Sequence, residues 1–348
     1  MKKNSLRTAA AVLSVVAAAG LAGCRSSNSD SAGDASATPT VKIMVGGIDK
    51  VIYLPAMLTQ QLGYFKDAGV NVKLLTEPSG ASAENVLLAG QVEGVVGFYD
   101  HSITLQAQGK CVESVVQLAK VPGEAEVVST KAAPKLTSPA AFQGQKLGVT
   151  SPGSSTDYLT QYLAKKNGVE TADYTTVAAG AGSTFTAALQ NGGIDAGMTT
   201  DPTIATVTKQ GLGKVLIDMR TEEGTKAALG GLYPAASMYM DCGYVQKNPE
   251  TVQKVVDAFV KTLGWISTHD ASQIAAKMPK DYAGGDPALY TQSIKDSSPM
   301  FTTDGVMPEG GPETVLDVLG TFSDTVKAKK DSIDLAKTYT TKFAKAAS

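Results

Sequence analysis

One pattern constrains this chain more than any other: strands and helices alternate in two separate series, and each series closes on a strand. The first series opens with VKIMVGG (41–47), a β-rich run ending in a double glycine. IYLPAMLTQQLGYF follows, with Leu54, Leu58 and Leu62 at i, i+4 and i+8, the spacing of one helix face. VNVKLLT (70–76) reads as a strand, SGASAENVLLAG as a helix, VEGVVGFY (92–99) as a strand, HSITLQAQGK as a helix and VESVVQLAK (112–120) as a strand. The pattern then restarts. QKLGVTS (145–151), YTTVAAG (174–180), IDAGMTT (194–200) and KVLIDM (214–219) read as strands. The helices between them are STDYLTQYLAKKNG, STFTAALQNGG and DPTIATVTKQG, the last with Asp201 as N-cap and Pro202 at its first position.

Such alternation builds mostly parallel sheets covered by helices, so two series predict two α/β lobes. The 348 residues, 43% of them hydrophobic, suffice for one large domain or two ordinary ones. GGLYPAASMYMDCGY carries a further strand-like stretch. NPETVQKVVDAFVKTLGWISTH then places Val252, Val255, Val256, Phe259, Val260 and Leu263 on one helix face. Further helices are expected over 272–280, 287–297, 312–328 and 333–345. No strand–helix repeat remains for a third lobe, so the tail is expected to pack back on the first, making that domain discontinuous.

The first forty residues have a different character. Lys2, Lys3 and Arg7 precede the short apolar run AAAVLSVVAAAGLA, which ends at Leu21-Ala22-Gly23-Cys24. The order of charge, apolar run, small residues and cysteine resembles the bacterial lipobox, so residues 1–23 are expected to be a lipoprotein signal peptide. Cys24 is then the acylated (palmitate-bearing) first residue of the mature chain, anchored in the bilayer at the outer face of the cell membrane. RSSNSDSAGDASATPT has no apolar periodicity, and residues 24–40 read as a flexible tether reaching about 20 Å. In an oxidising compartment Cys111 and Cys242 can form a disulfide; two buried thiols are the alternative.

Ligands of open α/β sheets bind beyond the carboxyl ends of the strands. There the first series places Asp49, Lys50 and Tyr53, then Ser79, Gly80, Ala81 and Ser82, then Tyr99, Asp100 and His101. The second places Ser151 to Thr156, then Gly182, Ser183 and Thr184, then Thr200 and Asp201. These residues are small and hydroxyl-rich and sit at helix starts, where free N–H groups face outward. Each alone reads as a helix cap; SPGSST and GAGST facing a GASA segment read as a cleft. Catalysis finds little support. His101 and His269 are the only histidines, and no motif pairs either with a serine. SPGSS lacks the lysine of a P-loop. The formal net charge of −2 leaves no basic footprint for nucleic acid, and 2 His with 3 Cys offer little for a metal centre. Arginine is confined to Arg7, Arg25 and Arg220, so an anionic ligand would meet no cluster of guanidinium forks.

Several stretches together resemble a known family. IYLPAMLTQQLGYFKDAGVNVKLLT, QVEGVVGFYDHSITLQAQGK, FQGQKLGVTSPGSSTDYLTQYLAKKNGV, ALQNGGIDAGMTTDP and NPETVQKVVDAFVKTLGWI are similar to elements of the substrate-binding lipoproteins of ABC importers. The branch is that of the nitrate/sulfonate/taurine and thiamine-precursor-like proteins. The resemblance covers about residues 41 to 345 and implies an α/β, two-lobed periplasmic-binding-protein fold of type II with a discontinuous first lobe and a helical C-terminal tail. Lobe I would comprise 41–125 plus 240–348 and lobe II 126–239, joined by crossings near 121–135 and 232–242. It further implies a monomer, without cofactor or metal, that closes on a small solute and delivers it to an ABC permease. Carried over position by position, ligand contacts fall on Asp49, Lys50, Tyr53, Ser79, Gly80, Ala81, Tyr99, Asp100, Ser154, Ser155, Thr156, Gly182, Ser183, Thr184, Thr200 and Asp201, with His101 added from its place at the strand end. The solute is expected to be sulfonate- or nitrate-like, or aromatic. The alternatives are a thiamine-pyrimidine precursor as ligand, or an enzyme like the pyrimidine-precursor synthases, whose clustered cysteines this chain lacks.

Overall fold

The computed structural model describes residues 38–347. The expected signal peptide, Cys24 and most of the tether lie outside the described residues. Among those described, no helix is long and apolar enough to cross a membrane.

Among the described residues, ten strands form two sheets of five. The first holds β1 (Thr40–Val45), β2 (Asn71–Thr76), β3 (Gly94–Phe98), β4 (Val112–Gln117) and β10 (Ala236–Asp241), in the order β2-β1-β3-β10-β4. The second holds β5 (Glu124–Ser129), β6 (Lys146–Val149), β7 (Thr175–Ala178), β8 (Ala196–Thr200) and β9 (Gly213–Asp218), in the order β7-β6-β8-β5-β9. The two plans match. In each, β-strands joined by helices run parallel, while one strand from the crossing chain inserts antiparallel: β10 between β3 and β4, and β5 between β8 and β9. Strands covered on both faces read as unbroken apolar runs, and every residue of β3 and of β8 is buried. Sheet spacing also selects glycine at one pair. A Cβ on Gly197 of β8 would lie 2.7 Å from the carbonyl oxygen of Gly148 on β6, its register partner.

The insertion of β5 and β10 moves the expected crossings. β5 begins at Glu124 in the second sheet and β10 begins at Ala236 in the first, so the chain leaves the first sheet over 118–123 and returns to it over 230–235.

The helices over the first sheet are α1 (Leu54–Gln61), α2 (Tyr64–Asp67), α3 (Gly80–Leu88) and α4 (Asp100–Ala107). The second sheet carries α5 (Ser155–Lys166), α6 (Ser183–Gln190), α7 (Thr203–Lys209) and α8 (Glu222–Leu229), the last unread in the sequence. After β10 come α9 (Cys242–Lys247), α10 (Pro249–Thr268), α11 (Ala271–Ala275), α12 (Pro287–Ser297), α13 (Gly311–Phe322), α14 (Asp324–Lys329) and α15 (Lys342–Ala347). The helix expected over 333–345 is instead a short 3₁₀ turn, Leu335–Lys337, followed by α15.

α10 packs on the first lobe as its apolar stripe requires. Phe259 meets Phe65 edge-on at 5.4 Å, and the Thr262 and Thr59 hydroxyls bond at 2.7 Å. The rest of the tail departs from the expectation of packing on the first lobe alone. α13 lies against both α4 and α5, and α12 against both residues 51–53 and α7. Phe322 meets Tyr158 of α5 at 5.7 Å, and the Ser297 hydroxyl donates to Asp201 at 2.9 Å. The apolar face of α13, with Val315, Val318 and Leu319 buried, finds its cover on α5 of the second lobe.

Candidate functional site

The loops after the parallel strands of the two sheets meet face to face. Ser79 caps α3, its Oγ accepting from the Ser82 N–H at 3.2 Å. From the other lobe, the Ser151 hydroxyl donates to that same Ser79 oxygen at 2.9 Å. Ser155, in the first turn of α5, donates across the interface to Asp100 Oδ1 at 2.9 Å, and the Tyr233 hydroxyl takes Asp100 Oδ2 at 2.8 Å. His101 Nε2 lies 3.4 Å from the Ser155 oxygen, and its Nδ1 bonds the Glu84 carboxylate. The close approach here needs a glycine: a Cβ on Gly80 would stand 3.1 Å from His101 Nε2. The backbone joins in, with the Val51 N–H donating to the Asp201 carbonyl at 3.0 Å.

Within this contact lies a small cavity of about 10 Å³, room for roughly one water. Lys50, Tyr53, Glu124, Ser154, Ser155 and Thr156 are among its walls. Lys50 is buried, and its ammonium donates to the carbonyls of Gly46 at 2.7 Å and Pro78 at 3.1 Å. Burial lowers its pKa to about 8, against the opposing pull of Glu124 and Asp49. Glu124 is also buried, and its Oε2 meets no hydrogen-bond donor. Burial holds its carboxyl well above the ordinary range; Lys50 opposes this, and Asp100 and Glu126 add to it. Burial likewise raises Asp100, with His101, Tyr233 and Ser155 working the other way. For His101 burial favours the neutral ring, yet the charge and hydrogen bond of Glu84 and the charge of Asp100 leave the pKa raised.

The sequence-predicted residues fall into four groups. Lys50, Tyr53, Ser79, Gly80, Asp100, His101, Ser154, Ser155, Thr156 and Thr200 come together at this buried contact, the Thr200 hydroxyl donating to the Gly123 carbonyl at 3.1 Å. Asp49, Gly182 and Ser183 instead line a separate open groove of about 540 Å³ with Thr203 and Tyr282. Thr184 turns back on its own loop, donating to the Ala181 carbonyl at 2.8 Å, and Ala81 sits half-buried in the first turn of α3. The side chains of the remaining two have other partners, although the Asp201 carbonyl takes the Val51 N–H. Tyr99 bonds Thr338 and stands edge-on to Tyr339 in the tail. Asp201, fully buried, takes Arg220 at 3.0 Å and the Ser297 hydroxyl.

Besides Tyr233, whose hydroxyl takes Asp100, two members of the cluster lie outside the predicted set. Glu84 lies one turn inside α3, beyond the loop that draws attention. Glu124 begins β5, a strand absent from the alternating series. The available signal was the run EAEVV (124–128), whose alternation of acids with apolar residues has the period of a strand. Among the described residues no three His, Cys, Asp or Glu side chains converge as a metal-holding group. Cys111 and Cys242 form a disulfide with Cα atoms 5.5 Å apart.

Comparison with known proteins places this geometry. A structure of a protein from Bordetella bronchiseptica RB50 superposes with a TM-score of 0.84 at 34% identity, over 88% of this chain and 96% of that one. The periplasmic nitrate-binding protein NrtA from Synechocystis PCC 6803 matches at 0.70 and 13% identity, over 89% and 88% of the two chains. The alkanesulfonate-binding protein SsuA from Xanthomonas axonopodis pv. citri, bound to MOPS, matches at 0.66 and 18%, over 85% and 95%. The last two establish a shared fold, that of periplasmic binding proteins. A curated relative, the 4-amino-5-hydroxymethyl-2-methylpyrimidine phosphate synthase THI13 of Saccharomyces cerevisiae, is 24% identical over 219 residues. That match spans 62% of this chain and 63% of the relative's length. A family model described as NMT1/THI5 like matches residues 52–272. With two mixed five-stranded sheets meeting at their loop ends and most of its length matched, this chain belongs to the NMT1/THI5-like family.

Proposed function

We propose that this protein is the extracytoplasmic solute-binding component of an ABC importer, which captures a small solute between its lobes and presents it to the membrane permease. The observation that carries this reading is the buried polar contact between lobes. Ser155 reaches Asp100, Ser151 reaches Ser79, and a small cavity sits among them. A two-lobed fold with hydroxyl-rich loops meeting over a cavity suits reversible capture by hinge closure. The disulfide fits export to an oxidising compartment, and acylation of Cys24 would tether the protein at the outer membrane face.

Binding without turnover distinguishes this reading from a synthase like the yeast relative. The test is calorimetric titration of the protein with sulfonates, nitrate, aromatic carboxylates and aminopyrimidines, with product analysis of each mixture. Saturable binding with the solute recovered unchanged is expected. Ser155→Ala should weaken that binding by about 1–3 kcal/mol, because Asp100 loses a buried donor. Consumption of a solute, or affinity indifferent to Ser155, contradicts the proposal.

A further inference from the structure

We infer that the solute carries a positively charged nitrogen bearing N–H donors, an ammonium or amidinium group, and that Glu124 is its partner. The inference rests on the solute-capture reading above and assigns the chemical class of what is captured.

Three carboxyls converge on the contact between lobes: Glu84, Asp100 and Glu124. Two have partners. Glu84 holds His101, and Asp100 accepts from Ser155 and Tyr233. Glu124 alone of the three meets no donor at Oε2, although it is only 3% exposed and lines the cavity. Lys50 shares that cavity wall, but its ammonium is held by two backbone carbonyls and forms no ion pair with Glu124. A buried carboxylate without a partner is costly, and a ligand cation with N–H donors removes that cost on binding.

The same contact is poorly made for an oxyanion. Arg220, the sole arginine among the described residues, is committed to Asp218 at 2.7 Å and Asp201 at 3.0 Å. The hydroxyl loop before α5 turns its donors inward. The Thr150 N–H bonds the Thr156 oxygen, the Ser151 N–H the Ser154 oxygen, and the Gly153 N–H the Asp157 carboxylate. Where α5 begins, the group that takes the Ser155 hydroxyl is itself a carboxyl, Asp100. An incoming sulfonate or nitrate would face three carboxyls in a poorly solvated space, while the cationic groups beside them, Lys50 and His101, already hold Gly46, Pro78 and Glu84.

The test uses probes of one shape and three charges: benzamidine, benzamide and benzoate, with acetamidine, acetamide and acetate as a smaller set. Each is titrated calorimetrically into the full chain and into Glu124→Gln. The amidines should bind tightest and the carboxylates weakest, and E124Q should weaken amidine binding about tenfold or more. Tightest binding by a carboxylate, or an amidine affinity unchanged in E124Q, overturns the inference and leaves solute capture standing. Saturable binding by none of the six also overturns the inference, and solute capture is then judged by the wider panel above. The order among the three charges is read on the unmodified protein, so the result does not depend on the variant folding.

Discussion

Glu126 and Glu124 project from the same face of β5, yet only Glu124 reaches the cavity. Glu126 is fully buried behind it, and neither carboxylate oxygen meets a donor. Burial alone raises its pKa well above the ordinary value. The folded state therefore holds its proton more tightly than the unfolded chain, whose glutamate titrates near about 4.3. The stability tied to that proton is complete below the unfolded pKa and is lost as pH rises through the folded one. Denaturant midpoints measured from about pH 4.3 upward should fall with pH more steeply in the native protein than in Glu126→Gln. At pH 8 the variant should be the more stable by about 1 kcal/mol or more. Parallel pH profiles contradict this account of Glu126. A second residue-scale prediction concerns Arg220. Arg220→Ala strips the fully buried Asp201 of its charge partner and should cost about 3 kcal/mol in urea unfolding; a loss under 1 kcal/mol would mean Ser297 and the Ala205 N–H suffice. At this scale the sequence was most legible where small polar residues follow strands. Ser79, Asp100, His101 and Ser155 all meet at the contact. Tyr99 stands beside them in sequence but lies under the tail, because the first turn of α4 sends its ring toward Thr338 rather than the cleft.

The elements legible in the sequence are those that repeat. Every parallel strand was read, because each precedes a helix and both obey local periodicity. β5 follows β4 with no helix between them, so no alternating unit marks it, and the pairing that defines it lies with β8 and β9, distant in sequence. α8 is similarly obscured by Gly224, a poor helix former that sheet packing imposes: a Cβ there would stand 1.9 Å from the Asp218 carbonyl oxygen. The disulfide is an element-scale staple. Cys111 precedes β4 and Cys242 follows β10, whose Asp241 pairs with Val112, so the bridge closes the whole excursion through the second sheet. Its sequence separation of 131 gives an entropic contribution of about 5 kcal/mol at most in the chain-entropy treatment. The double Cys→Ser variant should lose about 3–5 kcal/mol of stability, read from denaturant midpoints. It should keep its affinity for solute, because the bridge stands at the end of the sheet away from the cleft. A variant with native stability, or with altered affinity, contradicts that assignment.

Across the whole molecule, polar contacts between lobes coexist with two helical straps. α12 and α13 each touch both lobes, so opening the cleft must release one side of each. The Phe322 and Tyr158 rings and the Ser297–Asp201 bond are among the contacts through which those straps hold the second lobe. The tail's helical periodicity was visible in the sequence, but its partner was not, since an apolar stripe does not say which lobe covers it. The central claim is that the lobes close reversibly on a solute. The most direct measurement places spin labels at cysteines introduced for Leu88 on α3 and Gln190 on α6, both exposed, and reads their separation by pulsed electron paramagnetic resonance. The small-molecule fraction of a bacterial lysate is then added. The account predicts a distribution that includes a more open population without that fraction and contracts to one closed separation with it; an identical distribution in both conditions would contradict it.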